Sequence, residues 1–162
     1  MVTRRQFLRA DVSGNRAALR PPWAIQEWRF REKCTGCKDC IRACPEKILV
    51  EAGDNYPMVN FVLGECTFCG ACVQSCETGA LSDRGNIQEP WQAIAYVESH
   101  CLVKAGSWCS VCVEECEHEA ISISSDIGRA PILQVNADKC TGCGACVGPC
   151  PVAALVVKPK VV

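Results

Sequence analysis

Residues 34–45 read CTGCKDCIRACP, in which four cysteines have the spacing C-x2-C-x2-C-x3-C and a proline follows the last one. The same spacing returns at 66–76 and at 140–150, and the last copy also precedes a proline. A further set at 101–116 keeps the final C-x2-C-x3-C but has seven residues between its first two cysteines. The chain is therefore organised as four cysteine tetrads, which together use all 16 of its cysteines.

This spacing is typical of bacterial two-cluster ferredoxins, in which three cysteines bind one 4Fe–4S cluster and the fourth binds the neighbouring cluster. The first three cysteines fit on one tight loop, and the fourth is expected to begin a helix and to point away. Zinc sites tend to use two separated C-x2-C pairs, so the repeated tetrads favour four 4Fe–4S clusters. The predicted metal ligands are all the cysteines: Cys34, Cys37, Cys40, Cys44, Cys66, Cys69, Cys72, Cys76, Cys101, Cys109, Cys112, Cys116, Cys140, Cys143, Cys146 and Cys150.

Two pairings of the tetrads are open. In the sequential pairing, the first tetrad shares two clusters with the second, and the third shares two with the fourth. In the nested pairing, the first tetrad is paired with the fourth and the second with the third. Prolines after the first and fourth tetrads favour the nested pairing slightly, but the sequential pairing is simpler. Its four ligand sets are Cys34, Cys37, Cys40 and Cys76; Cys44, Cys66, Cys69 and Cys72; Cys101, Cys109, Cys112 and Cys150; and Cys116, Cys140, Cys143 and Cys146.

Short strands are predicted between the tetrads, where apolar residues alternate between turn-forming segments. They are Ile48–Glu51, Met58–Phe61, Ala80–Ser82, Ile121–Ser124, Ile132–Val135 and Ala154–Val157. The predicted fold class is α+β, with two bacterial-type ferredoxin-like units that each bind two clusters. The predicted divisions are a basic N-terminal extension, a first unit with tetrads one and two, a linker, and a second unit with tetrads three and four, over 1–29, 30–83, 84–94 and 95–162.

The remaining composition excludes several classes of protein. A chain of 162 residues suits one compact domain or two very small ones. No apolar run approaches the length of a membrane-spanning helix. Aromatic residues make up only 6% of the chain, so cluster binding is expected to supply much of the folding free energy. The two histidines, His100 and His118, leave little for imidazole catalysis, and nothing in the sequence calls for an enzyme.

Charge is distributed unevenly along the chain. Residues 1–33 carry eight basic against three acidic residues, a net charge of +5, and the other 129 residues carry nine basic against 15 acidic, a net −6. The basic leader is either a solvated tail or an arm that docks on an acidic partner. Nucleic acid is a disfavoured partner, because the acidic body would repel phosphate and no stacking aromatics accompany the arginines.

The first residues contain half of an export signal. Thr3–Arg9 look like a twin-arginine motif, but the apolar stretch that such a signal needs downstream is missing. We therefore expect a cytoplasmic protein. Thiol buffers keep cysteines reduced in that compartment, which argues against structural disulfides.

Segments outside the cysteines resemble the ferredoxin-type NapF family, which is encoded with periplasmic nitrate reductases. The similar features are R-P-P-W at Arg20–Trp23, Y-P-x-V-N-F at Tyr56–Phe61, and the stretched third tetrad. The resemblance implies a cytoplasmic protein that binds the precursor of the nitrate reductase catalytic subunit before its export. It also implies that the protein helps to assemble or load that subunit's own 4Fe–4S cluster.

Two other functions stay open at this point. The chain could be an electron-transfer polyferredoxin that delivers electrons to the nitrate reductase system, or a zinc-based interaction or nucleic-acid module. Two roles are also open for Trp23 and Trp28 of the N-terminal extension. These side chains either pack the extension onto the first unit or contact a partner. We expect the packing role for these tryptophans.

Overall fold

The computed structural model describes residues 19–82, 90–125 and 130–160. Its helices are α1 Glu27–Lys33, α2 Asp39–Ala43, α3 Ala71–Gln74 and α4 Val111–Glu114. Its strands are β1 Leu49–Glu51, β2 Pro57–Val59, β3 Ala93–Val97, β4 Ile121–Ser124, β5 Ile132–Val135 and β6 Leu155–Pro159. Every described element is short, whereas an isolated helix needs about 12–15 residues to be even marginally stable in water. Tertiary contacts must therefore hold these elements in place.

Antiparallel pairs of strands make up the sheets of the described residues. β1 pairs with β2, with Leu49 opposite Val59, and β4 pairs with β5, with Ile121 opposite Val135. These two hairpins confirm the strand predictions after the first and third tetrads, although the turn predicted at 126–129 lies outside the described residues. The third pair joins β3 to β6.

Strand β3 is a difference from the sequence-based prediction. Its first two residues, Ala93 and Ile94, were assigned to the linker, but they pair with Pro159 and Lys158 of β6. The strand predicted at 80–82 is reduced to a single bridge in the structure. A pairing partner more than 60 residues away leaves no signal in local periodicity, so β3 was missed.

The helices contradict the expectation that the fourth cysteine of a tetrad begins a helix. α2 contains Cys40 and ends just before Cys44, whose backbone is extended at φ −72° and ψ 114°. Pro45 therefore follows the helix, as is common because proline cannot continue it. α3 and α4 likewise contain the third cysteines of their tetrads, Cys72 and Cys112. Each of these helices buries a third cysteine and ends before the fourth.

Residues 19–29, which the prediction placed in the extension, pack against the first unit. The amide of Val59 donates a 2.8 Å hydrogen bond to the carbonyl oxygen of Leu19. Ala24 forms the bridge with Leu81, so it pairs with the end of the first unit as β3 pairs with the end of the second. Trp23 is buried, as expected, whereas Trp28 is 61% exposed. The rest of the extension, residues 1–18, lies outside the described residues.

Arg20 fastens this segment to the turn between β1 and β2. Its side chain is 8% exposed and donates hydrogen bonds to both Glu27 oxygens, at 2.9 and 3.0 Å, and to Asp54 at 3.0 Å. The guanidinium also lies 5.2 Å from the ring centroid of Phe30. Hydrogen bonds from Arg20 lower the pKa of Glu27. Burial alone would raise the pKa of Asp54, but the hydrogen bond and charge of Arg20 lower it.

Replacing Arg20 with Gln should lower the free energy of unfolding by about 2–4 kcal/mol, because two carboxylates lose a buried partner. Arg31→Gln is the matched control: Arg31 binds the same two carboxylates, at 2.7 and 3.0 Å, but is 51% exposed. It should cost less than about 1 kcal/mol. Denaturant unfolding of the cluster-loaded protein, followed by visible absorption, measures both. Equal losses would contradict the role given to Arg20.

The same pair of variants should differ in their response to acid. Because the pKa values of Glu27 and Asp54 are lowered in the fold, their stabilising contribution is present above the unfolded values of about 4. It is lost as the pH falls through the folded values. Arg20→Gln should therefore flatten the loss of stability below about pH 4 more than Arg31→Gln does.

Two hydrophobic cores contain cysteines as well as ordinary apolar side chains. The first includes Phe30, Ile48, Leu49, Leu81, Cys40 and Cys72. The second includes Val103, Ile121, Leu133, Leu155, Cys112 and Cys146. Within the described ranges, no helix has both the length and the apolar character needed to cross a membrane.

Candidate iron–sulfur sites

Four cavities in the described part of the chain are each lined by four cysteines. Site one is lined by Cys34, Cys37, Cys40 and Cys76, and site two by Cys44, Cys66, Cys69 and Cys72. Site three is lined by Cys101, Cys109, Cys112 and Cys150, and site four by Cys116, Cys140, Cys143 and Cys146. Each set takes three cysteines from one tetrad and one from its partner. The structure thus has the sequential grouping and not the nested one, and it places all 16 cysteines.

The third cysteine of every tetrad is buried, and so is Cys101, the first cysteine of the third tetrad. Cys40, Cys72, Cys112 and Cys146 are between 6 and 9% exposed. Burial, followed by the charges of neighbouring cysteines, raises the pKa of Cys40 and Cys146 to about 12 and that of Cys112 to about 11. These thiols hold their protons at neutral pH. A metal must therefore displace those protons and supply positive charge to stabilise the thiolates.

Glycines allow the cysteine loop of site four to lie close to its surroundings. Gly142 and Gly144 flank Cys143 and have φ values of +72° and +84°. A Cβ atom at Gly142 would lie 2.5 Å from the carbonyl oxygen of Ala93, and one at Gly144 would lie 2.0 Å from Cδ1 of Phe61. Ala93 and Phe61 lie outside the tetrads, and their contacts with these glycines were not expected from the sequence.

Backbone amides donate hydrogen bonds to cysteine sulfurs in sites one, three and four. The donors and acceptors are Leu81 to Cys76 at 3.3 Å, Ala120 to Cys116 at 3.2 Å, Ala154 to Cys150 at 3.2 Å, and Ala95 to Cys140 at 3.4 Å. Such hydrogen bonds stabilise thiolate charge, and they are one of the means by which proteins set the reduction potential of a cluster. Three of the donors, Leu81, Ala120 and Ala154, lie four or five residues after the fourth cysteine of a tetrad. The chain that follows each of these cysteines therefore turns an amide back toward the sulfur.

The seven-residue loop between Cys101 and Cys109 begins with a compact turn. The amide of Ala105 donates to the carbonyl oxygen of Cys101 at 2.9 Å. Val103 is 2% exposed and lines site three, whereas residues 104–108 are exposed. The start of the loop therefore packs against the site, and the rest of the loop extends outward. Trp108, the last residue of the loop, points outward and is 67% exposed. The turn brings Cys101 to the same cavity as Cys109.

Sequence reasoning missed several residues that line the cavities. Trp23 lines site two, and His118, to which the sequence analysis gave no role, lines site four. Thr78 lines site one, and its Oγ1 lies 3.6 Å from the sulfur of Cys76. Thr78 and His118 each lie two residues after the fourth cysteine of a tetrad. This shared position is the sequence feature from which their place at a cavity could have been predicted.

The cavities fit a cluster better than a single metal ion. Among the described residues, no three His, Cys, Asp or Glu side chains converge closely enough to hold one ion. Zinc would draw its thiolate sulfurs to about 2.3 Å from one point. The four cysteines of each set are instead spread around a cavity that is partly open to solvent. A cubane, which spreads four thiolates over four irons, suits this arrangement.

Comparisons with known proteins agree with this chemistry. Two family models described as 4Fe-4S dicluster domain match residues 33–81 and 107–154. The chain is 36% identical over 140 residues to the ferredoxin-type protein NapF of Escherichia coli (strain K12), over 86% of this chain and 84% of that protein. It is 37% identical over 164 residues to NapF of Haemophilus influenzae, over 95% and 92% of the two chains.

A relative from another system is also similar. The methylamine utilization ferredoxin-type protein MauM of Methylorubrum extorquens is 38% identical over 161 residues, which cover 88% of this chain and 73% of that protein. The identity to NapF proteins extends over most of the chain, well beyond the cysteines, and confirms the resemblance seen in the sequence. The chain belongs to the NapF family of ferredoxin-type iron–sulfur proteins.

Proposed function

We propose that the chain binds four 4Fe–4S clusters, one in each cavity, through all of its cysteines. The grouping of four cysteines around each cavity supports this assignment. When bound, such clusters supply one-electron redox chemistry. The protein's own residues hold the thiolates in place, donate amide hydrogen bonds to four of the sulfurs, and bury at least one cysteine of every set.

Anaerobically purified protein should be brown and should contain about 16 iron and about 16 sulfide per chain, since each cubane carries four of each. Cys109→Ala should reduce the iron content to about 12, because it removes one ligand of site three. Iron and acid-labile sulfide analysis checks both values. Colourless protein that contains zinc would contradict the assignment and favour the zinc-module alternative.

We infer that the function is maturation of the periplasmic nitrate reductase catalytic subunit, through assembly or loading of its 4Fe–4S cluster. The relatives named NapF support the link to that system. The partner would be the subunit's precursor before export, which places the protein in the cytoplasm. In this role the chain is an assembly factor and not an enzyme.

The exposure of two cysteines is the observation that carries this proposal. Cys37 of site one and Cys69 of site two are exposed, whereas the cysteines of sites three and four are buried or half-buried. Transfer of a cluster requires a thiolate of the recipient to reach an iron of the donor. The first unit therefore offers two sites at which such an exchange can begin.

Transfer can be tested with protein that carries ⁵⁷Fe in its clusters. After anaerobic mixing with precursor that lacks its cluster, we expect ⁵⁷Fe in the repurified precursor by Mössbauer spectroscopy. Cys37→Ala and Cys69→Ala should each reduce the transferred iron by about half. Cys109→Ala is the matched control, because it removes a ligand from a less exposed site. Capture of the precursor without any gain of ⁵⁷Fe would contradict cluster loading.

An electron-transfer function is the second candidate, and a contact between the units favours it. The amide of Cys66 in site two donates a 2.8 Å hydrogen bond to the carbonyl oxygen of Cys143 in site four. This contact places a site of the first unit next to a site of the second, so that electrons could pass from one unit to the other. Under this alternative, deletion of the protein should slow turnover of mature nitrate reductase without lowering that enzyme's cluster content.

A further inference from the structure

We propose that the four sites form a single line in the order one, two, four, three, so that sites one and three are its two ends. The proposal rests on the proposed occupancy of all four sites by clusters. It differs from the order of the tetrads along the chain, in which site three would stand next to site two.

Within each unit, the two sites meet at their buried cysteines. Cys40 of site one and Cys72 of site two belong to the same hydrophobic core, on helices α2 and α3, which pack together. Cys112 of site three and Cys146 of site four belong to the second core. Site one is therefore adjacent to site two, and site three to site four.

Between the units, the contact is made by sites two and four. The hydrogen bond from Cys66 to Cys143 joins a cysteine of site two directly to one of site four. The contacts around it involve the same two cavities, since Phe68 lines site two and Thr141 and Gly144 line site four. Site four is thereby placed between sites two and three.

A group that we call the junction holds this contact in place. Its members are Phe61, Phe68, Trp91, Thr141 and Gly144. The Trp91 ring lies edge-on to Phe61 at 5.9 Å and to Phe68 at 5.7 Å between centroids, and its Nε1 donates to the carbonyl oxygen of Thr141 at 3.0 Å. Gly144 leaves no room for a side chain against Phe61. One tryptophan thus touches residues at both sites.

The order of the sites decides which of them are neighbours. Because magnetic coupling falls steeply with distance, a reduced cluster interacts chiefly with the clusters beside it. In the proposed line, site four has two neighbours and site three has one. In the order of the tetrads, site three would have two neighbours and site four would have one.

Cys143→Ala and Cys109→Ala distinguish these orders, because they remove site four and site three respectively. Each dithionite-reduced variant is examined by electron paramagnetic resonance, with spin integration. Loss of site four should leave site three isolated, and its unbroadened signal should integrate to about one spin per molecule. Loss of site three should leave sites one, two and four in contact, without an isolated signal.

An isolated signal in Cys109→Ala and none in Cys143→Ala would overturn the proposed order. Iron for fewer than four clusters in the unsubstituted protein would overturn the occupancy, and the order with it. If Cys143→Ala loses both clusters of the second unit, Phe61→Ala gives the test with every cysteine in place. It should turn the spectrum into a sum of two coupled pairs, whereas Trp28→Ala, which replaces an exposed tryptophan outside the junction and the four cavities, should leave the spectrum unchanged. An unaltered Phe61→Ala spectrum would overturn the order.

Discussion

Removal of the iron and sulfide should abolish cooperative unfolding of this chain. The helices in the described ranges have four to seven residues and the strands three to five, and isolated two-stranded sheets are at best marginally stable in water. The two cores include buried cysteines of all four tetrads. Without clusters, each cavity would be an unfilled space in the middle of a small core. Cluster binding is therefore expected to supply most of the folding free energy.

Calorimetry under anaerobic conditions checks this expectation. Cluster-loaded protein should show a heat-absorption peak, and chelator-treated protein should show none, with weaker far-ultraviolet circular dichroism. Reconstitution with iron and sulfide is the control, because it should restore the peak and exclude damage during treatment. A sharp transition in iron-free protein would contradict the prediction and would assign the stability to the apolar side chains.

Gly144→Ala should remove the cluster of site four, while Gly106→Ala should keep all four. Both glycines have nearly the same left-handed backbone, with φ of +84° and +85°, so both variants carry a backbone cost of about 1 kcal/mol. They differ in their surroundings. A Cβ atom at Gly144 would lie 2.0 Å from Phe61, whereas a Cβ at Gly106 would have nothing within 4 Å.

The collision at Gly144 is difficult to relieve. Phe61 is 7% exposed and lies against the ring of Trp91, so the loop that carries Cys143 must move instead. Overpacking of this kind costs about 1–3 kcal/mol beyond the backbone term. We expect about 12 iron per chain in Gly144→Ala and about 16 in Gly106→Ala, with a larger fall in melting temperature for the former. Equal iron contents would contradict the tight approach at site four.

Local features were predictable from the sequence because they depend on neighbours along the chain. Strands β4 and β5 were predicted with their observed bounds, since apolar and polar residues alternate there, as at Ile121 and Ile123. Burial of Trp23 was also expected. The predicted position of the helices was wrong, because the spacing of cysteines does not determine whether Cys40 or Cys44 lies on the helix.

The amino-acid sequence alone determined the four tetrads, their candidate chemistry and the family, because ligand spacing and hairpins are encoded within a few residues. Only the tertiary structure decided between the sequential and nested groupings of cysteines. It also paired Ala24 with Leu81 and β3 with β6, and it brought Cys66 to Cys143 and Trp91 to Thr141. These contacts join residues 50 or more positions apart, and such pairs are set by packing of the whole chain and not by local pattern.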